Sequence, residues 1–182
     1  AAVCFILSTI ALKKAYRKDV EVKSYICHAP QDAERYKVPE INGKIAENDQ
    51  IVPVDELNDD VQIFAYLASD RTLNSDNAIQ QLAQAREKDL FVIPIKSESI
   101  DWPDMGTLGL SRELGVEYKS DNFDGVVEDV TKFLRNYQID FTKLRNELEK
   151  NRITFINLLS FKTDVSEEQI YKIIPHLLKA NV

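Results

Sequence analysis

The chain alternates between short β-forming runs and longer stretches that have the apolar periodicity of helices. Strands are predicted at residues 21–27, 51–54, 61–68, 90–96 and 116–119. Helices are predicted over 76–88, with Ser75 as the N-cap, and over 123–137. Residues 32–48 form a weaker helical segment that Pro39 either divides or kinks, and 97–114 is a loop with a short helical turn. This alternation predicts an α/β fold, a flavodoxin-like parallel sheet of about five strands with flanking helices.

The last part of the chain is helical throughout. Residues 141–161 have a helical pattern whose second half is apolar, and Ser166 and Gln169 form a capping box before a last helix over 167–179 that Pro175 interrupts. We therefore predict three parts: an N-terminal apolar helix with a basic end (1–20), an α/β domain (21–138) and a C-terminal helical appendage (139–182). The apolar faces of the appendage need the sheet domain, each other or a partner to pack against.

The N-terminal segment has two interpretations. Residues 1–12 are almost wholly apolar and are followed by four basic residues, Lys13, Lys14, Arg17 and Lys18. The favoured interpretation is a packing helix whose basic end suits the negative end of the helix dipole. The alternative is the end of a truncated transmembrane helix with its cytoplasmic basic flank, because about 20 apolar residues are needed to cross the hydrocarbon core. In that case the protein is the cytoplasmic part of a membrane-anchored chain.

Composition narrows the functional classes. The net charge of −7 argues against a general nucleic-acid surface, which needs concentrated Lys and Arg. The two cysteines, Cys4 and Cys27, are far apart and lack metal-ligand spacing, which favours a reduced cytoplasmic setting. With five glycines in all, the chain has no Gly-rich phosphate loop.

Candidate binding residues follow the first and third predicted strands. Functional loops of open α/β sheets lie at the carboxyl ends of strands. His28 and Asp32 lie in the turn at 27–32, and Ser69, Ser75 and Gln81 lie in the turn and helix start at 69–81. Three of them also have a structural explanation: Asp32 as an N-cap, Ser75 as a cap, and His28 as a loop histidine bonded to backbone. The first turns of the helix after Asp76 carry the amides Gln80 and Gln81 and no carboxylate.

Two stretches together resemble the Toll/interleukin-1 receptor (TIR) domain family. Residues 25–32, YICHAPQD, are similar to its opening strand and loop, with Cys27 at a position where the family usually has Ser. Residues 69–75, SDRTLNS, are similar to its Ser-x-x-Tyr-Leu-x-Ser segment, and residues 92–95, VIPI, match its Ile-Pro strand. The resemblance covers about residues 22–137. The stretch between Asp32 and Ser69 is shorter than in most members, so we expect the second helix of the family's fold to be absent or reduced.

The resemblance implies two alternative functions. Some TIR domains cleave NAD at the nicotinamide–ribose bond with a Glu in the second matched segment, whereas others assemble with partners and have no activity. This chain has Gln81 at the position of that Glu, and an amide can hydrogen-bond ribose hydroxyls but cannot carry the charge or take up the proton. Removing a positioned acid or base costs about 10²–10⁴ in rate.

We therefore predict a signalling or assembly module that acts through other protein chains, including possible homo-oligomers, without catalysis and without a metal. The alternative is an NAD nucleosidase or nucleotide-sensing domain that holds NAD or a related nucleotide with the turns at 27–32 and 69–81. A third interpretation, a flavodoxin-like receiver domain, rests on fold analogy and on the acidic residues of 55–60.

Overall fold

The structure is a computed structural model, and it describes residues 21–48, 50–111, 113–151 and 155–179. The helix predicted over 1–20, and with it both interpretations of residues 1–12, lies outside the described residues. The predictions for the α/β domain and for most of the helical appendage fall within them.

Five parallel strands form one sheet in the described part of the chain, in the order β2-β1-β3-β4-β5. The strands are β1 (Val22–Cys27), β2 (Ile51–Val54), β3 (Ile63–Ala68), β4 (Phe91–Lys96) and β5 (Val116–Glu117). Every residue of β3 is buried, as expected for a central strand that is covered on both faces. This strand order is that of flavodoxin, so the predicted fold class is confirmed.

Helices follow most of the strands and form both outer layers. They are α1 (Asp32–Arg35), α2 (Val38–Ala46), α3 (Asp76–Glu87), α4 (Trp102–Thr107), α5 (Phe123–Asn151), α6 (Ile156–Thr163) and α7 (Glu167–Lys179). The weak segment after β1 forms two helices, because Lys37 between them adopts a left-handed φ of 51°. Pro39 lies in the first turn of α2, where its missing N–H costs no helical hydrogen bond. Ser75 caps α3 as predicted, accepting from the Ala78 N–H at 3.3 Å.

Two hydrophobic clusters cover the two faces of the sheet. On one face, α2, α5 and α7 contribute buried side chains such as Ile41, Leu134 and Ile173. On the other face, α3 contributes Leu82 and α4 contributes Met105. Because the side chains of a strand alternate between faces, each strand serves both clusters.

The crossover from β2 to β3, residues 55–62, contains turns but no helix. The described crossover thus lacks the helix that usually joins two parallel strands. Two ion pairs hold the end of the crossover near β3: Asp60 lies 2.9 Å from the Lys23 ammonium, and Asp59 lies 2.8 Å from that of Lys88. Turns and bends therefore lie where a helix would otherwise cover the sheet.

The long helix α5 differs from the prediction. The sequence predicts a helix that ends at Tyr137 and another that begins at Phe141, but α5 runs without interruption from Phe123 to Asn151. The intervening residues include no Gly or Pro, and the buried positions Leu134, Tyr137, Phe141 and Leu144 continue one apolar stripe at helical spacing. The boundary predicted between 138 and 139 therefore falls inside a helix.

The C-terminal helices pack against the sheet domain and not apart from it. Leu159 of α6 and Ile170 and Leu177 of α7 belong to the same buried cluster as the sheet residues. Ser166 accepts the predicted capping bond from the Gln169 N–H at 3.2 Å. Pro175 lies inside α7 and does not end it. None of the described helices has both the length and the apolar composition that a membrane-spanning helix needs.

Candidate functional site

A buried carboxylate and a buried hydroxyl meet beyond the ends of β1 and β3. The Ser69 hydroxyl donates a hydrogen bond to Oδ2 of Asp32 at 2.5 Å. The Arg71 guanidinium donates to Oδ1 of the same carboxylate at 3.1 Å. Neither Asp32 nor Ser69 has any exposed surface. The carboxylate is thus buried with both oxygens bonded, which is the condition under which a protein interior accepts a charge.

Hydroxyl groups hold the turn that follows β3. The Ser69 oxygen accepts hydrogen bonds from the backbone N–H groups of Arg71 and Thr72 at 3.2 and 3.1 Å. Oγ1 of Thr72 accepts from the Ser69 N–H at 2.7 Å and donates to the carbonyl oxygen of Leu67 at 2.8 Å. A hydroxyl has one donor and two acceptor positions, so the Ser69 hydroxyl is fully used within the chain. It therefore has no capacity left to bind or attack a ligand in this conformation.

A second group of hydroxyls continues this edge of the sheet toward β4. The Tyr36 hydroxyl donates to Oγ of Ser99 at 3.2 Å, and the same oxygen accepts from the Asp70 N–H at 3.1 Å. The hydroxyls of Ser97 and Ser99 are 2.8 Å apart. These bonds join the segments that follow α1, β3 and β4. Their effect is to fix three loops relative to each other.

Three of the predicted binding residues have structural roles. Asp32 is predicted to cap the helix after β1, and this is wrong: Gln31 is the N-cap residue, and no side chain caps that end. The Asp32 carboxylate instead accepts from Ser69 and Arg71, which lie 37 and 39 residues away in the sequence. His28 is half-buried, with Nδ1 2.9 Å from the Ala29 carbonyl oxygen, and Ser75 caps α3.

Gln81 lies in a separate cleft on the sheet face that α3 covers. The cleft has a volume of about 340 Å³ and is lined by Tyr25, Asp55, Glu56, Leu57, Asn77, Gln80, Gln81 and Gln84. The Tyr25 hydroxyl donates to Oε1 of Gln81 at 3.1 Å, and Nε2 of Gln81 is 3.4 Å from Oδ1 of Asn77. Of the five predicted binding residues, only Gln81 lines this cleft. The structure thus brings Asp32 and Ser69 together and places Gln81 elsewhere.

The cleft is acidic on the side that faces α3. Asp55 and Glu56 are exposed, and within the described residues neither forms an ion pair, unlike Asp59 and Asp60 of the same crossover. Burial raises the pKa of the Tyr25 hydroxyl above its ordinary value of 10.0, the nearby Cys27 and Glu56 raise it further, and the hydrogen bond with Gln81 partly offsets this rise. The phenol is therefore protonated at neutral pH and donates a hydrogen bond.

A buried lysine ends β4 and has structural partners. Lys96 donates to the carbonyl oxygens of Ser97 and Ile100 at 3.3 and 3.2 Å, and its ammonium lies 3.2 Å from Oε1 of Glu117. The ring of Trp102 lies over the ammonium at 5.8 Å from its centroid. The hydrogen bond and charge of Lys96 lower the pKa of the Glu117 carboxyl. The lysine thus links β4, β5 and α4.

Most of the residues around Gln81 are not among the binding residues predicted from the sequence. A signal was present in the helix, because the polar positions Asn77, Gln81 and Gln84 repeat at the spacing of one helical face. A second signal was present in β1, since strand alternation places Tyr25 and Cys27 on the same face, the face that carries Phe64. The local sequence does not predict that Asp55 and Glu56 lie opposite α3, because their distance from that helix depends on the path of the crossover from β2 to β3.

Searches against protein-family models find no match to this chain, and a search of curated proteins finds no similar sequence. The fold and the residues of the cleft are therefore the structural observations on which a functional proposal rests.

Proposed function

We propose that this protein is a non-catalytic, TIR-like interaction module that assembles with other protein chains, including copies of itself. One observation carries the proposal. The side chain at the position of the family's catalytic acid is an amide, and Oε1 of Gln81 accepts a hydrogen bond from the Tyr25 hydroxyl at 3.1 Å. An amide held in this way offers no charge to an oxocarbenium-like transition state and takes up no proton at neutral pH.

The carboxyl edge of the sheet supports the same proposal. Ligands of open α/β folds bind beyond the carboxyl ends of the strands, and polar side chains there must be available to them. Here Asp32 and Ser69 are wholly buried and bonded to each other and to neighbouring groups. Asp32 and Ser69 therefore stabilise the loops at this edge, as expected in a module that presents a fixed surface to other proteins.

Turnover of NAD at high protein concentration tests the proposal. We expect no release of nicotinamide from the wild-type chain, and light scattering should report assemblies larger than one chain at micromolar concentration. The matched variant Gln81→Glu keeps the size of the side chain and an acceptor for Tyr25. Nicotinamide release by the wild-type chain that is lost on mutating residues 69–81 would contradict the proposal.

A nucleotide-cleaving or nucleotide-sensing domain is the second candidate. One observation favours it: Asp55 and Glu56 line the same cleft as Gln81. The cleft therefore has carboxylates, although the position of the family's catalytic Glu is occupied by Gln81. Calorimetry with NAD, ADP-ribose and cyclic nucleotides tests whether the chain binds a nucleotide. Binding that disappears in Asp55→Asn/Glu56→Gln supports this candidate, and an absence of heat with all the ligands rejects it.

A further inference from the structure

The C-terminal helices present an apolar face that the described residues leave uncovered. Phe155, the N-cap residue of α6, and Phe161 within that helix are 72% and 83% exposed. On α7, Tyr171 and Leu178 are 63% and 66% exposed and lie seven residues apart, which places them on one side of the helix. We call these four residues, together with Leu158, the C-terminal apolar face. Their inner neighbours Leu159, Ile170 and Ile173 are fully buried, so the two helices are anchored and their outer side is a defined surface.

The face lies on helices that reach the edge of the sheet where the described chain begins. Nε2 of His176 in α7 is 3.1 Å from the carbonyl oxygen of Asp89, which precedes β4. Glu21 precedes β1 at the same edge, because all strands are parallel. β1 and β4 are separated only by β3, a lateral distance of about 10 Å.

The segment before Glu21 has the matching composition and length. Residues 1–12 are almost wholly apolar and include Phe5, Ile6 and Leu7. Residues 13–20, most of them polar or basic, can span about 25 Å when extended, which is more than the lateral distance to β4. A tethered segment meets a nearby surface at an effective concentration of about millimolar, so even weak apolar contact is sufficient for docking.

We propose that residues 1–12 of the same chain dock on the C-terminal apolar face. The contact removes the apolar side chains of both partners from water, which is the main favourable term in such packing. The basic residues that follow, Lys13, Lys14, Arg17 and Lys18, then stay in solvent between the docked segment and β1. Because the contact is intramolecular, it is measurable whether or not the chain assembles with partners.

The native cysteines provide the probe. Cys4 lies within the docking segment, whereas the side chain of Cys27 is 1% exposed and is shielded from labelling reagents. A nitroxide on Cys4 of the full chain should broaden the amide signals of Phe161, Tyr171 and Leu178 at least several-fold more than those of Ile79, which lies in the first turn of α3 at the opposite edge of the sheet. Reducing the nitroxide restores the signals and gives the reference spectrum.

Substitutions on the face separate docking from general collapse. Phe161→Ser/Tyr171→Ser replaces two exposed side chains and should remove most of the broadening with an unchanged far-ultraviolet spectrum. Ile79→Ser, a substitution at a residue that is 38% exposed on α3, is the matched control and should leave the broadening intact. Equal broadening in both variants, or no broadening in the wild-type chain, overturns the proposal.

Two further samples test whether a second copy of the chain or a membrane surface covers the C-terminal apolar face instead. When isotope-labelled Cys4→Ser chains are mixed with nitroxide-labelled chains, the signals of Phe161, Tyr171 and Leu178 should not broaden. Broadening of these signals assigns the face to a second copy and overturns the intramolecular contact. Vesicles of anionic phospholipid should not sediment the wild-type chain. Sedimentation that requires residues 1–12, together with loss of the broadening, overturns the proposal in favour of a membrane surface.

Discussion

The Ser69 hydroxyl donates to the Asp32 carboxylate at 2.5 Å, and both side chains are buried. The bond joins the turn after β3 to the start of α1, so two neighbouring strands are linked at their carboxyl ends. Hydrogen bonds to a charged acceptor are stronger than those between neutral groups, and this one is shielded from water. The hydrogen bond between Ser69 and Asp32 should therefore stabilise the fold whether or not a ligand binds.

Replacing the carboxylate should destabilise the fold. Asp32→Ala removes the acceptor of Ser69 and of Arg71, and we expect the free energy of unfolding to fall by about 3 kcal/mol, the size typical of a lost charged hydrogen bond with a buried polar group left unpaired. Urea denaturation measures this change. Asp70→Ala is the matched control, because its pair with Arg35 is exposed and should contribute under about 1 kcal/mol. Equal losses in the two variants would contradict the assigned role of Asp32.

Removing a buried hydroxyl from α5 should stabilise the protein. The Tyr137 side chain is buried, and its oxygen has no hydrogen-bond partner within the described residues. Tyr137→Phe should leave the free energy of unfolding unchanged or raise it by about 1 kcal/mol, since an unsatisfied polar group is removed from the interior. Tyr36→Phe is the contrasting variant, because it removes the bond to Ser99 and should cost about 1 kcal/mol. The opposite order of the two variants in thermal unfolding would refute this prediction.

Alkaline pH should destabilise the chain through the buried thiol of Cys27. Burial raises the pKa of this thiol from its ordinary value of 9.0 to about 12. Between these values the unfolded chain has lost the proton that the folded chain retains, so the free energy of unfolding falls as pH rises, by about 1.4 kcal/mol per pH unit. Burial also raises the pKa of Tyr66 to about 12, which extends the loss above pH 10.

Variants of Cys27 isolate its contribution. Cys27→Ala and Cys27→Ser lack the titrating thiol, and both should show a shallower decline in stability between about pH 9 and 10 than the wild-type chain. Chemical denaturation at fixed pH steps measures the slope. A slope that is the same in all three chains would rule out the thiol as its source.

The carboxyl of Glu117 should report the position of Lys96. The hydrogen bond and charge of Lys96 hold the pKa of Glu117 below its ordinary value of 4.5, so the stabilisation is present above that pH and is lost as pH falls. In Lys96→Met the pKa of Glu117 should rise toward 4.5 in a carbon-13 titration. Lys119→Met is the control and should cause a smaller rise, because its ammonium is 3.6 Å away and contributes less. A larger rise in the control would exclude the assigned pairing.

The amino-acid sequence by itself determined the five strands and the first helices, in their order along the chain. Local physics sets these: β-branched and aromatic runs at strand positions, the Ser75 cap before α3, and Pro39 in the segment that forms α1 and α2. Strand–helix alternation then leaves few topologies, and the observed order is one of them. The carboxyl ends of β1 and β3 were predictable as neighbours for the same reason.

Only the tertiary structure decided which side chains meet and what they do. Asp32 accepts hydrogen bonds from Ser69 and Arg71 and does not cap its own helix, because the fold brings these two residues, 37 and 39 positions away, to its buried carboxylate. Gln81 faces Tyr25, and Asp55 and Glu56 lie nearby, because a crossover without a helix leaves that part of the sheet open. Helix α5 continues through residue 138 because the sheet domain and the C-terminal helices share one buried stripe. Contacts of this kind join residues far apart in the chain, so local patterns do not specify them.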